Sequence, residues 1–219
     1  MKQRLFIVGA GGFGSEALWV AERTGSFDVA GFFDDNPDRK GESYDNIPIV
    51  GTTDEIKDHL NGGDQIFLAI AKNKIRQRLA NKLKILEIEN ASLIDPTVIM
   101  APTASVGEGT FIGPGVIVAP HAKVGKFVLI NTHVGIGHHS CIGDFSQICP
   151  GARISGGCII EDLAFIGSNA TLQPRIRVGQ GASVGAGSYV VHRVKPRFSV
   201  VGVPARTVSR PAKTESPAQ

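Results

Sequence analysis

VGKFVLINTHVGIGHHSCIGDFSQICPGARI, residues 124–154, decides the fold. Every sixth position in it, Val124, Ile130, Ile136, Ile142, Ile148 and Ile154, is aliphatic, and the beat runs outward in both directions from Ile94 to Val190 without a slip. Four places after each of these stands a second, usually small residue, among them Ala122, Val128, Val134, Ser140, Ser146, Ala152 and Cys158. Neither a helix, with about 3.6 residues per turn, nor an ordinary strand of period about 2 sustains such a pattern. A six-residue period is the signature of a parallel β-helix. Each hexad supplies a short strand and a corner, and three hexads close a triangular coil. The large aliphatic fills the axis, the small residue turns inward near the corner, and the remaining positions face out.

The residues before the repeat follow a different grammar. Arg4–Val8 reads as a buried strand leading through Gly9-Ala10-Gly11-Gly12-Phe13-Gly14 into a helix ending near Arg23. Val29–Phe33 is a second strand closed by Asp34-Asp35, and Asn36–Asn46 is polar and turn-rich. Thr52–Leu60 reads as a helix capped by Thr52 or Thr53, Gln65–Ile70 as a third strand, and Lys74–Lys84 as a basic amphipathic helix. Alternating strands and helices predict a small parallel Rossmann-like domain. The fold class expected is thus α/β plus all-β: a Rossmann-like domain at 1–90, a β-helix of hexapeptide repeats at 91–206, and a disordered tail at 207–219. Glu87–Ser92 forms the join.

Composition narrows the function. A formal charge of +3, without a basic stripe or interleaved aromatics, argues against nucleic acid. No apolar run is long enough to span a membrane, and the opening apolar run is too short for a signal peptide. The odd cysteine count (Cys141, Cys149, Cys158) fits a reducing, cytoplasmic setting. Cys158 falls on an inward position, which gives it a packing role.

Gly9, Gly11 and Gly14 satisfy G-x-G-x-x-G, and Asp34 follows at the end of the next strand. Such a loop brings backbone N–H groups and a helix N-terminus to a diphosphate, and the acidic residues can hold ribose or base edges. A nucleotide-linked ligand, a dinucleotide and a plain tight turn all remain open on this evidence. Four of the six histidines fall between His121 and His139. The hexad register turns His138 and His139 outward, with Gly156 one coil above His138 leaving a bare shelf for a long ligand. An imidazole there is the usual general base for an amine or hydroxyl nucleophile. The His133/His138 spacing resembles two metal ligands of the γ-class carbonic anhydrases, but that family's third, upstream histidine is matched here by Thr97, with only His121 nearby, and no metal is expected. Outward Phe111, Phe127, Phe145 and Phe165 call for cover by a neighbour or a ligand.

Together the glycine loop, Asp34-Asp35, Asn131-Thr132, His138, the hexads and Gly202-Val203-Pro204-Ala205 resemble the NeuD/PglD family of bacterial sugar acyltransferases. The resemblance covers residues 4 to 206. It implies a homotrimer of left-handed β-helices, each with a nucleotide-sugar domain, using acetyl-CoA as acyl donor in the groove between neighbours. Carried over, His138 is the general base, with His139 beside it as the second candidate catalytic residue. Gln147, Gly156, Gly167, Ser168, Gly185 and Ala186 line the acetyl-CoA arm. Gly9, Gly11, Gly12, Phe13, Asp34, Asp35 and Asn131 contact the sugar nucleotide. Three positions depart from the family pattern: His139 replaces an acidic residue, Gln147 a second histidine, and Phe13 the histidine of the glycine loop. Without the acidic residue, Asp144 or a backbone carbonyl is left to orient His138. The reaction implied is acetylation of a sugar amine, with sugar O-acetylation, a non-catalytic nucleotide-sugar module and a dinucleotide enzyme as alternatives.

Overall fold

The computed structural model describes residues 2–84 and 87–209. Its N-terminal part is a six-stranded sheet in the order β3-β4-β2-β1-β5-β6. The elements are β1 (Gln3–Val8), α1 (Gly12–Thr24), β2 (Phe27–Phe33), β3 (Ser43–Tyr44), β4 (Ile47–Gly51), α2 (Ile56–His59), β5 (Gln65–Leu68), α3 (Asn73–Lys84) and β6 (Glu89–Asn90). All pairings are parallel except the β3–β4 hairpin. The sheet is thus larger than the three strands expected. Of the three missed strands, β3 and β4 lie in and just after the polar stretch, where Ile47 and Ile49 alternate around Pro48, and β6 lies in the join. The expected helix at 52–60 shrinks to one turn, because Glu55 folds back onto the Thr52 N–H (2.8 Å) and hydroxyl, spending the first residues on a cap-like turn.

From Leu93 the chain winds into a three-sided prism. Strands such as Phe111–Ile112, Leu129–Ile130, Gln147–Ile148 and Phe165–Ile166 build the first face; Ile117–Val118, Gly135–Ile136 and Arg153–Ile154 the second; Lys123–Val124, Cys141–Ile142 and Ile159–Ile160 the third. Every rung is parallel and joins residues one coil apart, as Gly135 to Arg153 and Ile136 to Ile154. The beat residues fill the axis: Ile130, Ile148 and Ile166 are fully buried, as are the small partners Ala152, Cys158 and Ala164. Polar members of that inner column satisfy themselves on the corners. Ser140 Oγ donates to Ser155 O (3.0 Å), Ser146 Oγ to Glu161 O (3.0 Å) and Cys158 Sγ to Gln173 O (3.2 Å), so no lone polar group is stranded in the prism.

The prism outlasts the beat. Val194 bridges Val178, and Ser199–Val201 pairs with Ser183–Val184, placing Val200 inward on a coil shorter than the others. Arg206–Ser209 then returns antiparallel along that strand, so residues 207–209 are strand rather than tail; 210–219 lie outside the described residues.

The outward phenylalanines find their cover within the chain. Phe111, with Leu93 and Leu129, is buried against α1 and the sheet, and Phe127 stacks on Phe145 at 5.1 Å beneath Leu79 and Leu83 of α3. Burying each such side chain is worth about 1.5–3 kcal/mol. Phe165, further along the same face, is only half-buried. Polar ties close the seam. Arg23 holds Asp95 (2.6 Å), and Asn73 Nδ2 donates to Leu163 O (3.0 Å). The N-terminal domain therefore occupies the first face and leaves the second and third open. Ile99 and Ile117 on the second face and Ile159 on the third are exposed.

Candidate functional site

Two places carry candidate chemistry. In the N-terminal domain a cavity of about 450 Å³ opens at the carboxyl ends of β1 and β2, where open α/β sheets hold ligands. Gly9, Asp34 and Asp35 line it together with Thr53, Arg78 and Lys82, over an apolar floor of Phe33, Ile70, Ile75 and Leu79. Gly14 sets the loop's shape, since a Cβ there would lie 2.3 Å from Gly9 O. Asp34 is an organiser. Its Oδ2 accepts from Ala10 N–H (3.1 Å) and Arg39 (3.3 Å) and its Oδ1 from Asn36 N–H (3.1 Å), while Arg39 also donates to Ala10 O (2.8 Å). Asp35 Oδ1 accepts from Thr53 N–H (3.0 Å). Two cations from α3 facing two carboxylates give the cavity means to hold phosphate on one side and N–H or O–H donors on the other.

Gly11, Gly12 and Phe13 are absent from these walls. The ring of Phe13, an expected ligand contact, sits edge-on to Phe111 (5.1 Å) and Phe67 (6.2 Å), joining the glycine loop to the prism. Thr53, Arg78 and Lys82 went unread, although Arg78 and Lys82 stand four apart on a helix recognised as basic and so share one face.

The second place is the corner between the second and third faces. His138 and His139 are both exposed there, their Nδ1 atoms 3.1 Å apart. His139 has φ 58° and its ring tilts over His121, one coil below, at 4.9 Å. The His138 ring leans the other way, over Gly156, as the register requires. Asp144 lies on a different corner, its Oδ1 accepting from Lys126 N–H (2.8 Å), and so does not orient His138. His133 occupies yet another corner, against Gly115. The two histidines of the suggested metal spacing thus diverge, and no group of three or more ligating side chains occurs among the described residues.

The remaining expected residues divide between corners. Asn131 stands where the first face meets the second, its Nδ2 3.4 Å from Glu16 Oε2 on α1. Gly167, Ser168, Gly185 and Ala186 stack two and three coils above it on that corner, whereas Gly156 shares the corner of His138. Gln147 points out from the first face, in register with Leu129 and Phe165, across the prism from His138. Within one chain these residues do not converge.

Residues 4–83 match the PglD N-terminal domain family. The whole described fold is similar to the acetyltransferase domain of PglB from Neisseria gonorrhoeae, at 28% identity and TM-score 0.89 over 94% of this chain and 100% of that one. It is also similar to PerB from Caulobacter crescentus, solved with CoA and GDP-perosamine, at 26% identity and TM-score 0.86 over 94% and 97%. The N-terminal domain is of the PglD N-terminal type, and the whole fold is the one these solved structures share. Its prism is accordingly the left-handed β-helix of these relatives. WeeI from Acinetobacter baumannii has the same architecture, at 25% identity and TM-score 0.86 over 93% and 99%. A stretch of 52 residues is also 44% identical to the serine acetyltransferase of Escherichia coli. That match takes in 24% of this chain, which spans only 19% of the length of that curated relative. No helix among the described residues is long and apolar enough to cross a membrane.

Proposed function

We propose that the protein transfers an acetyl group from acetyl-CoA to an amino group of a nucleotide-activated sugar, with His138 as general base. The observation that carries this reading is the pairing, in one chain, of a mixed-charge cavity behind a glycine loop with an exposed imidazole over a bare glycine shelf. Relatives alike over almost their full length are described as an acetyltransferase domain with acetyl coenzyme A and as a protein with CoA and GDP-perosamine, which supports both substrates.

In the step proposed, His138 Nε2 takes a proton from the sugar amine as its nitrogen attacks the thioester carbonyl. A C–N bond forms, the oxyanion is held by a backbone N–H, and the C–S bond breaks. The proton passes to the departing sulfur, giving the acetamide and free CoA. The division of site residues between corners supports a groove built by two copies: one contributes Gly156 and His138, the other its Gly167–Ser168 corner. A homotrimer of such chains in the cytoplasm completes the proposal, and light scattering should give three times 23.1 kDa.

The test is release of CoA thiol from acetyl-CoA in the presence of UDP-, GDP- and dTDP-linked amino sugars and their hydroxyl counterparts. His138→Ala should lower turnover by roughly 10²–10⁴-fold with its melting temperature unchanged, since the side chain is exposed. Near-native turnover in that variant, or a preference for hydroxyl acceptors, would overturn the reading.

A further inference from the structure

The NeuD/PglD pattern has an acidic residue after the base, and here that position is His139. We propose that His139 is a positioning residue that fixes the tautomer of His138 by accepting a hydrogen bond, an inference resting on the assignment of His138 as the base. Two ring nitrogens 3.1 Å apart can hydrogen-bond only when one carries a proton and the other a lone pair. Two arrangements satisfy that condition. If His139 donated, neutral His138 would carry its proton on Nε2, the nitrogen facing the Gly156 shelf, and could take none from a substrate there. If His138 donates, its Nε2 is bare and aimed at the shelf, where a Cβ on Gly156 would come within 2.5 Å of it. The second arrangement is the one a general base needs. It also persists through the reaction, because the imidazolium formed on His138 still donates from Nδ1, in a bond strengthened by the charge.

The surroundings of His139 hold it in that role. Its left-handed backbone (φ 58°) is repeated along the column at His121 (φ 60°), Gly157 (φ 70°) and Arg175 (φ 63°), so the corner is fixed by the coil and not by the side chain. Its N–H donates to Pro120 O (3.1 Å), and its ring lies on that of His121. Above it Gly157 adds no side chain, and Arg175 from the next coil drapes its methylenes toward that gap. No carboxylate of the described residues is hydrogen-bonded or ion-paired to either imidazole. A neutral acceptor thereby does the orienting that a carboxylate does in related sites, holding the imidazole in one tautomer.

Because Gly157 occupies the same corner one coil on, His139→Gly removes the acceptor without straining the backbone. The acetyl-CoA thiol-release assay, run with the best amino-sugar nucleotide of the panel, compares His139→Gly, His139→Glu and His138→Ala. Loss of the orienting partner should lower kcat of His139→Gly by about 10–100-fold, as loss of a supporting partner does at metal-bound histidines, with KM for acetyl-CoA within about two-fold. His139→Glu should recover most of that loss and move the acidic limb of its kcat/KM profile to higher pH, since a carboxylate favours the imidazolium. Two-bond 1H–15N spectra of histidine-labelled protein at pH 8 should show His138 protonated at Nδ1, and His139→Gly should lose that preference. An inactive His138→Ala beside a His139→Gly of near-native kcat would overturn the positioning role while leaving the base intact. So would an Nε2–H tautomer at His138 in the native protein, or a His139→Glu as impaired as His139→Gly. An active His138→Ala would instead remove the assignment beneath it.

Discussion

The imidazole of His138 lies in the space that a side chain on Gly156, one coil further on, would occupy: an added Cβ would sit 2.5 Å from Nε2 and 2.6 Å from Cε1. The three atoms nearest that Cβ all belong to the imidazole, the free end of an exposed side chain. In Gly156→Ala the backbone should stay and the ring swing aside. Stability should change by no more than about 0.5 kcal/mol, the usual range for surface sites. Turnover should fall by roughly 10–100-fold, because a base displaced by an ångström loses its alignment with the attacking atom. Parallel thermal melts and thiol-release rates check both halves; a large stability loss with intact turnover would contradict the geometry.

Arg76 is the strongest tie between the domains. Fully buried in α3, it has no carboxylate partner among the described residues. Its guanidinium donates to Ile70 O (2.6 Å) and Ala71 O (3.1 Å) in its own domain and to Phe127 O (2.9 Å) and Phe145 O (2.9 Å) at the corners of the prism. Burial pushes its pKa down to about 9, which still leaves the cation in place at neutral pH. Arg76→Met would fill similar space but strand these carbonyls, each unsatisfied buried group costing about 1–3 kcal/mol before relaxation. A loss of about 3–5 kcal/mol is expected in urea unfolding, together with separation of one transition into two. Arg76→Lys should recover little, since a single ammonium cannot span both sets of carbonyls.

This arginine also marks where the sequence stops being legible. Hexad spacing is a property of each residue and its neighbours along the chain, so the axis of the prism, the inward Cys158 and the relation of His138 to Gly156 could all be read directly. What covers a face is a relation between domains. Phe111, Phe127 and Phe145 therefore read correctly as needing partners, but the partners proved to be α1, α3 and Phe13 of the same chain. The packing of Phe13 is hidden for the same reason: a glycine loop suggests a ligand for everything in it, and only the docked prism shows its contacts with Phe111 and Phe67. Thr53 and Lys82 reach the cavity from a helix cap and a basic helix that carry no ligand-binding motif.

Asp95 should make stability depend on pH at the acidic end. Its carboxylate is fully buried; desolvation pushes its pKa up, but hydrogen bonds from Arg23 (2.6 Å) and from the hydroxyl and N–H of Thr97 outweigh this and leave it lowered. A lowered folded value means the stabilisation is complete above the unfolded pKa of about 3.9 and is lost as pH falls through the folded value. Asp95→Asn should accordingly melt several degrees below the native protein at pH 7, hydrogen bonds to a charged group being worth about 1.5–3 kcal/mol. The gap should narrow steadily below pH about 4. A gap independent of pH would mean that packing, not charge, is what the substitution removes.

The cavity in the N-terminal domain separates nucleotide binding from acetyl-CoA binding. Arg78 and Lys82 enter from one face of α3, and Lys82 is already engaged by Asp54 (2.5 Å) and Thr53 (3.4 Å), so Arg78 is the freer cation. A diphosphate entering by the glycine loop would meet it together with the N-terminus of α1. Arg78→Ala should weaken sugar-nucleotide affinity by about ten-fold or more, the worth of one charge-assisted contact of about 1.5–3 kcal/mol. Acetyl-CoA affinity should not change, because the corner bearing His138 and Gly156 lies on the far side of the prism from this domain. Titration calorimetry with GDP- and UDP-sugars and, separately, with CoA measures the two affinities. Equal weakening of both would mean that one ligand spans the sites, and unchanged affinity for every nucleotide would remove the cavity from the function altogether.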